Sequence, residues 1–417
     1  MTNTARSAFA SDIKKLSITN WEGKEVGVSP QVTQIKIFQS IFTKSMSIEM
    51  MMSEGIDLIR ALPIRGGEKI SVEWQTPGQE LMSAEFVLHS ITNMTPDSIR
   101  QGASYTILGV HESALLNKKR LVSRAYRDTA ANIVTKVAEE FLQIELAGSS
   151  STPTTLQYIA PNVSPHRVID MVAAYAAKDS EDGTLLFYQN QKGHFFRSVT
   201  DMVEQGDEWT YILSNEQPEQ VEEQDLFRIV EITEPSRNQF ADMISKGSAC
   251  STLVQVNPLT RKFERKHTRR EESVRSSLTS EQDVDAGVLD KYRPDNPDSD
   301  LPAQTFYRFD ETAFGLPQTD VLTTFGSSLS LITQLRTNVT TITVPLNSSL
   351  KVGDRIKITA STPDAFDAEE IDPQRDVPYL VTSIAMVYAV DEQTFMIVEL
   401  SRDGASTPIE PTRMLSA

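Results

Sequence analysis

Apolar and polar side chains alternate strictly through the first quarter of the chain. Met46, Ile48 and Met50 interleave with Ser45, Ser47 and Glu49, and Ile70, Val72 and Trp74 interleave with Ser71 and Glu73. A period of two sends one group to each face of a strand, so Lys15 to Val110 reads as antiparallel sheet with one wet face. Ile56 to Ile59 reads as a short helical turn, stopped by Pro63 and the Gly66-Gly67 pair. From Asp128 the period lengthens: Ile133, Val134, Val137, Phe141 and Leu142 fall at helical spacing, with Asp128 expected as the N-cap. A second helix is expected behind Ser164, with Pro165 at the first helical position and Val168, Met171, Val172 and Tyr175 on one stripe.

Next come Leu185-Leu186-Phe187-Tyr188, a polar turn from Gln189 to Gly193, and His194-Phe195-Phe196-Arg197-Ser198. Two apolar runs around an Asn-to-Gly connection predict a β-hairpin. In it Phe187 and Phe196 are cross-strand core partners, Asn190 and Gly193 supply the turn, and Arg197 is a solvated or capping charge. A helical stretch is expected over Asp225 to Ile232, and strands over Ser248 to Val256 and Lys262 to Glu264. Ser276 to Pro317 is rich in Asp, Ser and Pro with few branched apolar residues, and reads as an extended, partly ordered arm or linker, with ordering against a neighbour expected of an arm. Val321 to Leu335 is expected to be helical.

One pattern occurs twice. Gly67-Glu68-Lys69-Ile70-Ser71-Val72 is followed by Phe86-Val87-Leu88-His89-Ser90-Ile91 and then Tyr105-Thr106-Ile107-Leu108. Gly353-Asp354-Arg355-Ile356-Lys357-Ile358 is followed by Tyr379-Leu380-Val381-Thr382-Ser383-Ile384 and then Phe395-Met396-Ile397-Val398. The simplest account is one small β-domain present twice with other material between. The expected fold class is α+β: two similar antiparallel β-domains separated by a mixed α/β region. The expected segments are 1–112, the first β-domain; 113–237, the mixed middle; 238–275 with 336–405, the second β-domain; 276–335, an insertion with the arm; and 406–417, a tail.

At 417 residues the chain suits about two to four domains. Its single cysteine, Cys250, cannot form an intramolecular disulfide, and no secretory leader is read at the start, so export is not expected. No apolar run reaches the roughly 20 residues that span a bilayer, which predicts a soluble chain with no membrane anchor. A net charge of −17 argues against general affinity for nucleic acid. The histidines, His89, His111, His166, His194 and His267, show no ligand spacing with one another or with Cys250, so neither metal nor cofactor is expected. No nucleophile elbow and no phosphate-binding Gly-Lys-Ser/Thr loop is present, which predicts a protein without catalytic residues. The basic run Arg261 to Arg270 is diluted by Glu264 and reads as a contact with an acidic neighbouring subunit or as a solvated strand end.

The hairpin Phe187-Tyr188-x-Asn190-x-x-Gly193-x-x-Phe196-Arg197-Ser198, set after two helices and between two β-modules, resembles the baseplate central hub protein of contractile-tailed phages. Leu350-x-Val352-Gly353-Asp354, Tyr379-Leu380-Val381-Thr382-x-Ile384 and Arg402-Asp403 are similar to that family's second barrel, although Ala385-Met386-Val387 is less polar than its strand end should be. The resemblance implies two tail-tube-like barrels and a homotrimeric ring that adapts a sixfold tail tube to a threefold cell-puncturing spike. It implies a place in the virion baseplate after synthesis in the host cytoplasm. Implied partners are the central spike, the tail tube or tube initiator, and the tape measure and inner baseplate proteins, with DNA passing through unbound. A lumen lined by acids would centre the duplex by repulsion; most of the acid surplus lies in loops such as Glu216 to Asp225 and Asp364 to Glu370, and a solvated outer surface accounts for the charge equally well. The alternatives are the spike or hub of a contractile secretion apparatus, a tail-associated peptidoglycan hydrolase, and a β-rich adaptor that forms no ring.

Overall fold

The structure is a computed structural model that describes residues 12–55, 58–97, 102–178, 183–213, 226–233, 240–246, 250–269, 304–309, 321–337, 339–360, 378–389 and 394–402. The chain opens with β1 (Asp12–Thr19), β2 (Glu25–Gly27), β3 (Val32–Ser40) and β4 (Ser47–Glu54). After the short helix α1 (Leu58–Ala61) come β5 (Lys69–Gln75), β6 (Met82–Asp97) and β7 (Gly102–Val110). The predicted alternation holds: Ile48, Met50, Ile70, Val72 and Trp74 are buried, while Glu49, Ser71 and Glu73 are only partly so. Each fully buried large side chain contributes about 1.5–3 kcal/mol, which is what commits these strands to one face.

The middle of the chain holds α2 (Glu112–Lys119), β8 (Val122–Thr129), α3 (Ala130–Val137) running on as a π-helical turn to Leu142, β9 (Leu146–Ser149), β10 (Thr155–Val163) and α4 (Pro165–Ala173). Thr129, not Asp128, caps α3: its hydroxyl accepts from the Asn132 amide at 3.4 Å. Asp128 lies one residue outside and accepts from Lys136 Nζ, Asn132 Nδ2 and the Thr129 amide, which hold its carboxyl down at about 2. Ser164 occupies the N-cap of α4, with Pro165 just inside, but its side chain makes no capping bond. Asn117 of α2 accepts from the His166 amide at 2.8 Å, so the neighbouring helix satisfies that first-turn donor. Val134, Val137, Val168 and Val172 share a second core with Phe187 and Phe196.

The remaining elements are β11 (Leu185–Asn190), β12 (Gly193–Ser198), α5 (Val199–Gln205), β13 (Glu208–Leu213), β14 (Glu231–Thr233), α6 (Phe240–Ser245), β15 (Cys250–Asn257), β16 (Lys262–Arg269), β17 (Gln304–Phe309), α7 (Val321–Thr337), β18 (Val339–Pro345), β19 (Arg355–Ala360), β20 (Pro378–Ala389) and β21 (Phe395–Ser401). Of the helix expected over Asp225 to Ile232, the described part forms only a 3₁₀ turn at Leu226 and Phe227. Glu231–Thr233 is a strand on β18, with Ile232 turned toward the main core, and tertiary pairing overrides the local pattern. Asp225 itself lies outside the described residues.

The fold is mostly antiparallel sheet. One sheet of 13 strands runs β14-β18-β21-β20-β3-β4-β7-β6-β5-β1-β2, with β19 on β20 and β13 on β19. The pairings among the described residues close no barrel. Strands β13 and β14, expected in the middle segment, belong to this sheet. Conversely β15 and β16, expected in the second β-domain, make a separate sheet with β17. Strand β17 is the described part of the expected arm; it pairs parallel to β15, and the rest of Ser276 to Pro317 lies outside the described residues. Helix α7 covers that small sheet through Gly326, where an added Cβ would stand 2.2 Å from Thr268, so only glycine fits.

Candidate assembly surfaces

The large sheet contains one strand order twice. The first set reads β1-β5-β6-β7-β4-β3 and the second β13-β19-β20-β21-β18-β14. In both, strands taken in chain order first to sixth are arranged first, fourth, fifth, sixth, third, second. The agreement extends to single atoms. The Gly67 amide donates to Leu88 O and the Leu88 amide to Glu68 O, both at 2.8 Å; the Gly353 amide donates to Val381 O and the Val381 amide to Asp354 O, both at 2.9 Å. Glu68 accepts from the Arg65 amide and Asp354 from the Lys351 amide, each acid holding the turn three residues before it. A β-bulge follows at the same place, between Leu88 and Ser90 and between Val381 and Ser383. Gly67 and Gly353 sit at φ +95° and +93°. Ile70 with Val72, and Ile356 with Ile358, are fully buried in the fourth strand of each set.

Two differences are informative. Ile91 faces Ile107 and Ile384 faces Val398, so Val398, not Ile397, matches Ile107, and Ile397 is 36% exposed. The closing strands are therefore offset by one residue from the alignment of Tyr105 with Phe395. The first strand also changes direction: β1 runs antiparallel to β5, whereas β13 runs parallel to β19.

The sets meet edge to edge within the chain. Strand β20 pairs with β19 over Pro378 to Leu380 and then with β3 over Ser383 to Ala389, so the second strand of set one lies on the fifth strand of set two. This explains the apolar Ala385-Met386-Val387: flanked by β21 and β3, Met386 and Val387 are buried.

The β11–β12 hairpin holds both cores to the sheet. Phe187 and Phe196 face each other and point into the second core, while Tyr188 and Phe195, also opposite, stack at 5.5 Å in the main core. The connection is the two residues Gln191 and Lys192, with Asn190 accepting from the Lys192 amide and Gly193 at φ +133°. Gln189 Oε1 accepts from the Met46 amide at 2.8 Å, and Gln191 Nε2 donates to Leu350 O at 2.8 Å, so neighbouring side chains reach one strand set each. Arg197 is not simply a solvated charge: its guanidinium lies 4.8 Å from the centre of the Phe195 ring. Ser198 caps α5 by accepting from the Asp201 amide at 3.1 Å.

Sequence comparison matches no family model and no curated protein. Comparison of folds finds tail proteins. The chain superposes on a tail protein from Neisseria meningitidis with TM-score 0.53 at 11% identity, over 94% of this chain and 99% of that one. It superposes on the 43 kDa tail protein of prophage MuSo2 from Shewanella oneidensis with TM-score 0.55 at 10% identity, over 94% and 98%. A type VI secretion system component from E. coli aligns with TM-score 0.45 at 10% identity, over 96% and 79%. The chain therefore has the fold of phage tail proteins.

On this fold, three histidines that sequence spacing leaves apart come together. The His111 and His194 rings are 4.9 Å apart, and Phe187 stacks at 5.8 Å from His194 and lies 6.1 Å from His166. Burial lowers all three, His194 to about 3 and His166 to about 4. Among the described residues no group of three or more His, Cys, Asp or Glu side chains is placed to hold a metal ion. Nor is any described helix long and apolar enough to cross a membrane. The basic run forms β16, and the tip of its hairpin with β15 exposes Leu259 and Phe263 beside Arg261 and Lys262. The acidic loops Glu216 to Asp225 and Asp364 to Glu370 lie outside the described residues.

Proposed function

We propose that the chain is a structural tail component without catalytic residues: a homotrimeric hub ring that adapts a sixfold tail tube to a threefold spike. The observation that carries this reading is the duplicated strand order. A protomer with two near-equivalent units offers six of them when three copies close about one axis, which meets a sixfold neighbour on one face. The divergence of the two sets leaves the other face threefold. The central spike and the tail tube or its initiator are then the direct partners, and the virion baseplate the location.

The hub also forms part of the DNA conduit in this reading. Its net charge of −17 suits a passage that must not hold phosphate, since every Lys or Arg contact would have to break as the duplex moves. The Ser150–Asp201 pair supports a non-catalytic role. Ser150 Oγ donates to Asp201 and accepts from the Ser198 amide, Lys178 Nζ binds the same carboxylate at 2.6 Å, and both residues are buried at the start of α5. Its polar atoms are engaged with each other, with Lys178 and with the Ser198 amide, which ties the loop after β9 to the start of α5. Native mass spectrometry of the purified chain, alone and with its cognate spike, tests the ring: a trimer is expected. A monomer under both conditions would remove the hub role, and release of soluble fragments from peptidoglycan would replace it with a hydrolase.

A further inference from the structure

The small sheet β16-β15-β17 has two unlike faces. Thr268 and Phe306 share one of them, and helix α7 covers it through Gly326 and through Phe325, whose ring lies 4.8 Å from that of Phe306. The opposite face is open at its outer end. Phe263 lies opposite Val256, and Arg265 lies opposite Val254, which faces Tyr307, so Phe263, Arg265 and Tyr307 share that face. Phe263 is 65% exposed and Tyr307 66%.

Strand β17 ends its pairing opposite Val256, and the β15–β16 hairpin runs on past it through the pair Asn257–Lys262 into the turn. Every residue from Pro258 to Arg265 is exposed, whereas Ser251 to Val254 and Thr268 at the base are buried. The projecting tip still has one built shape. Asn257 Oδ1 accepts from the Leu259 amide at 3.1 Å and from the Thr260 amide at 3.0 Å, and Arg261 takes φ +57°. Leu259, at the tip, is 70% exposed, and Arg261 and Lys262 beside it have no ion-pair partner among the described residues.

We propose that this tip, Leu259 to Phe263, docks on an acidic surface of a second copy of this chain and joins neighbouring protomers, a contact that rests on the ring reading above and supplies one of its joints. Single exposed apolar side chains are ordinary on a surface, but two at the end of a projecting, internally bonded turn make an anchor. The charge selects the partner. Arg261, Lys262, Arg265 and Lys266 stand around one acid, Glu264, in a chain whose net charge is −17, so the rest of another copy attracts the tip while the chain as a whole repels nucleic acid. Two such tips repel each other. The contact therefore joins unlike surfaces head to tail, the kind that closes a ring. A turn already held by its own hydrogen bonds loses little freedom on docking. So small a tip adds to broader contacts between protomers and does not make the ring alone.

Two double variants of the full chain, both at exposed positions, test the contact. Leu259→Asp with Phe263→Asp removes the anchors, and Arg261→Glu with Lys262→Glu reverses the charge. Native mass spectrometry over a concentration series is expected to show a trimer about tenfold weaker for each, at unchanged monomer melting temperature. Raising sodium chloride from about 0.05 M to about 0.5 M is expected to weaken the wild-type trimer but not the charge-reversed one. With p-benzoylphenylalanine in place of Phe263, irradiation is expected to join two chains at a site outside the β15–β16 hairpin. An unweakened trimer in either variant, or attachment only within one chain, overturns the docking and leaves the ring standing. A wild-type chain that stays monomeric removes both. An unweakened trimer that has lost binding to the cognate spike or to duplex DNA overturns the docking too, and assigns the tip to that partner.

Discussion

The first strand set places Trp74, Phe86 and Gly109 where the second places Ala360, Tyr379 and Leu400. The matching of Gly109 to Leu400 follows from their partners, Leu88 and Val381, which hold the same backbone bonds in the two sets. In set one an added Cβ on Gly109 would stand 2.7 Å from Ile48 Cγ2 and 3.1 Å from Ile70 Cδ1. In set two Leu400 is fully buried. Strand order, the acid-held turn and the bulge are common to both, while the volumes that fill them are redistributed. The fold is therefore carried by backbone features that tolerate exchange of interior side chains, provided that the total is kept.

The severest way to break the equivalence is proline in the fourth strand of either set. Ile70 and Ile356 lie in strands flanked on both sides, where proline removes a ladder bond and clashes, at a cost of about 3 kcal/mol or more. Ile70→Pro and Ile356→Pro are each expected to abolish soluble expression or the cooperative melt. Retention of a normal melt by one alone would mean that the two sets do not bear equally on the fold. Next in size is the exchange of interior volume. Leu400→Ala is expected to cost about 2–5 kcal/mol through the cavity it leaves. Gly109→Ala is expected to cost about 1–3 kcal/mol through overpacking against Ile48 and Ile70. Urea unfolding measures both, and a neutral Gly109→Ala would show that set one has room to spare.

The hairpin and the second strand set also carry pH signatures of opposite sign. His194 is held down at about 3 by burial first and by His111 and His166 next. With its folded value below the ordinary one of 6.5, the unfolded chain binds more protons, so stability is complete above about pH 6.5 and falls as the pH drops toward the folded value. Between pH 7 and 5 this one buried imidazole removes about 1–2 kcal/mol. Asp354 behaves oppositely: burial raises it to about 6, against the pull of Lys351 and the Trp209 indole. Its charged form costs stability at neutral pH, and protonation below about pH 6 returns about 1 kcal/mol. Asp354→Asn is therefore expected to steepen the acid loss of stability, read from urea midpoints at pH 7 and 5. An unchanged slope would mean that Asp354 does not titrate in this range.

Much of this was legible in the sequence where one rule acts alone. Alternation located β4 and β5, and the Gly-acid-base-Ile pattern located β5 and β19, because glycine at positive φ and an acid holding a turn leave fixed residue types. The hairpin was visible for the same reason, down to Phe187 opposite Phe196. The first and second strands of set two were not. Strand β14 has only three residues, too few to show a period, and β13 pairs in parallel with a strand more than a hundred positions later. The meeting of His111, His166 and His194 left no local trace, since it is made by three separate elements. The apolar end of β20 was visible but lacked a cause until β3 was found beside it.

The smallest effect sharpens the comparison most. Gly67 and Gly353 share their conformation, so alanine at either should incur the same left-handed strain of about 1–2 kcal/mol. Their surroundings differ. A Cβ on Gly67 meets nothing within 4 Å, whereas one on Gly353 would stand 3.1 Å from the Tyr188 hydroxyl. Tyr188 is buried and stacked on Phe195, so it has little freedom to withdraw. Gly353→Ala is therefore expected to cost more than Gly67→Ala, by about 0.5–1 kcal/mol of added crowding. In a Tyr188→Phe background the hydroxyl is gone, and the two alanine costs should agree within about 0.5 kcal/mol. If the gap persists there, the excess at Gly353 comes from the backbone of set two, and the hairpin is not what distinguishes the two turns.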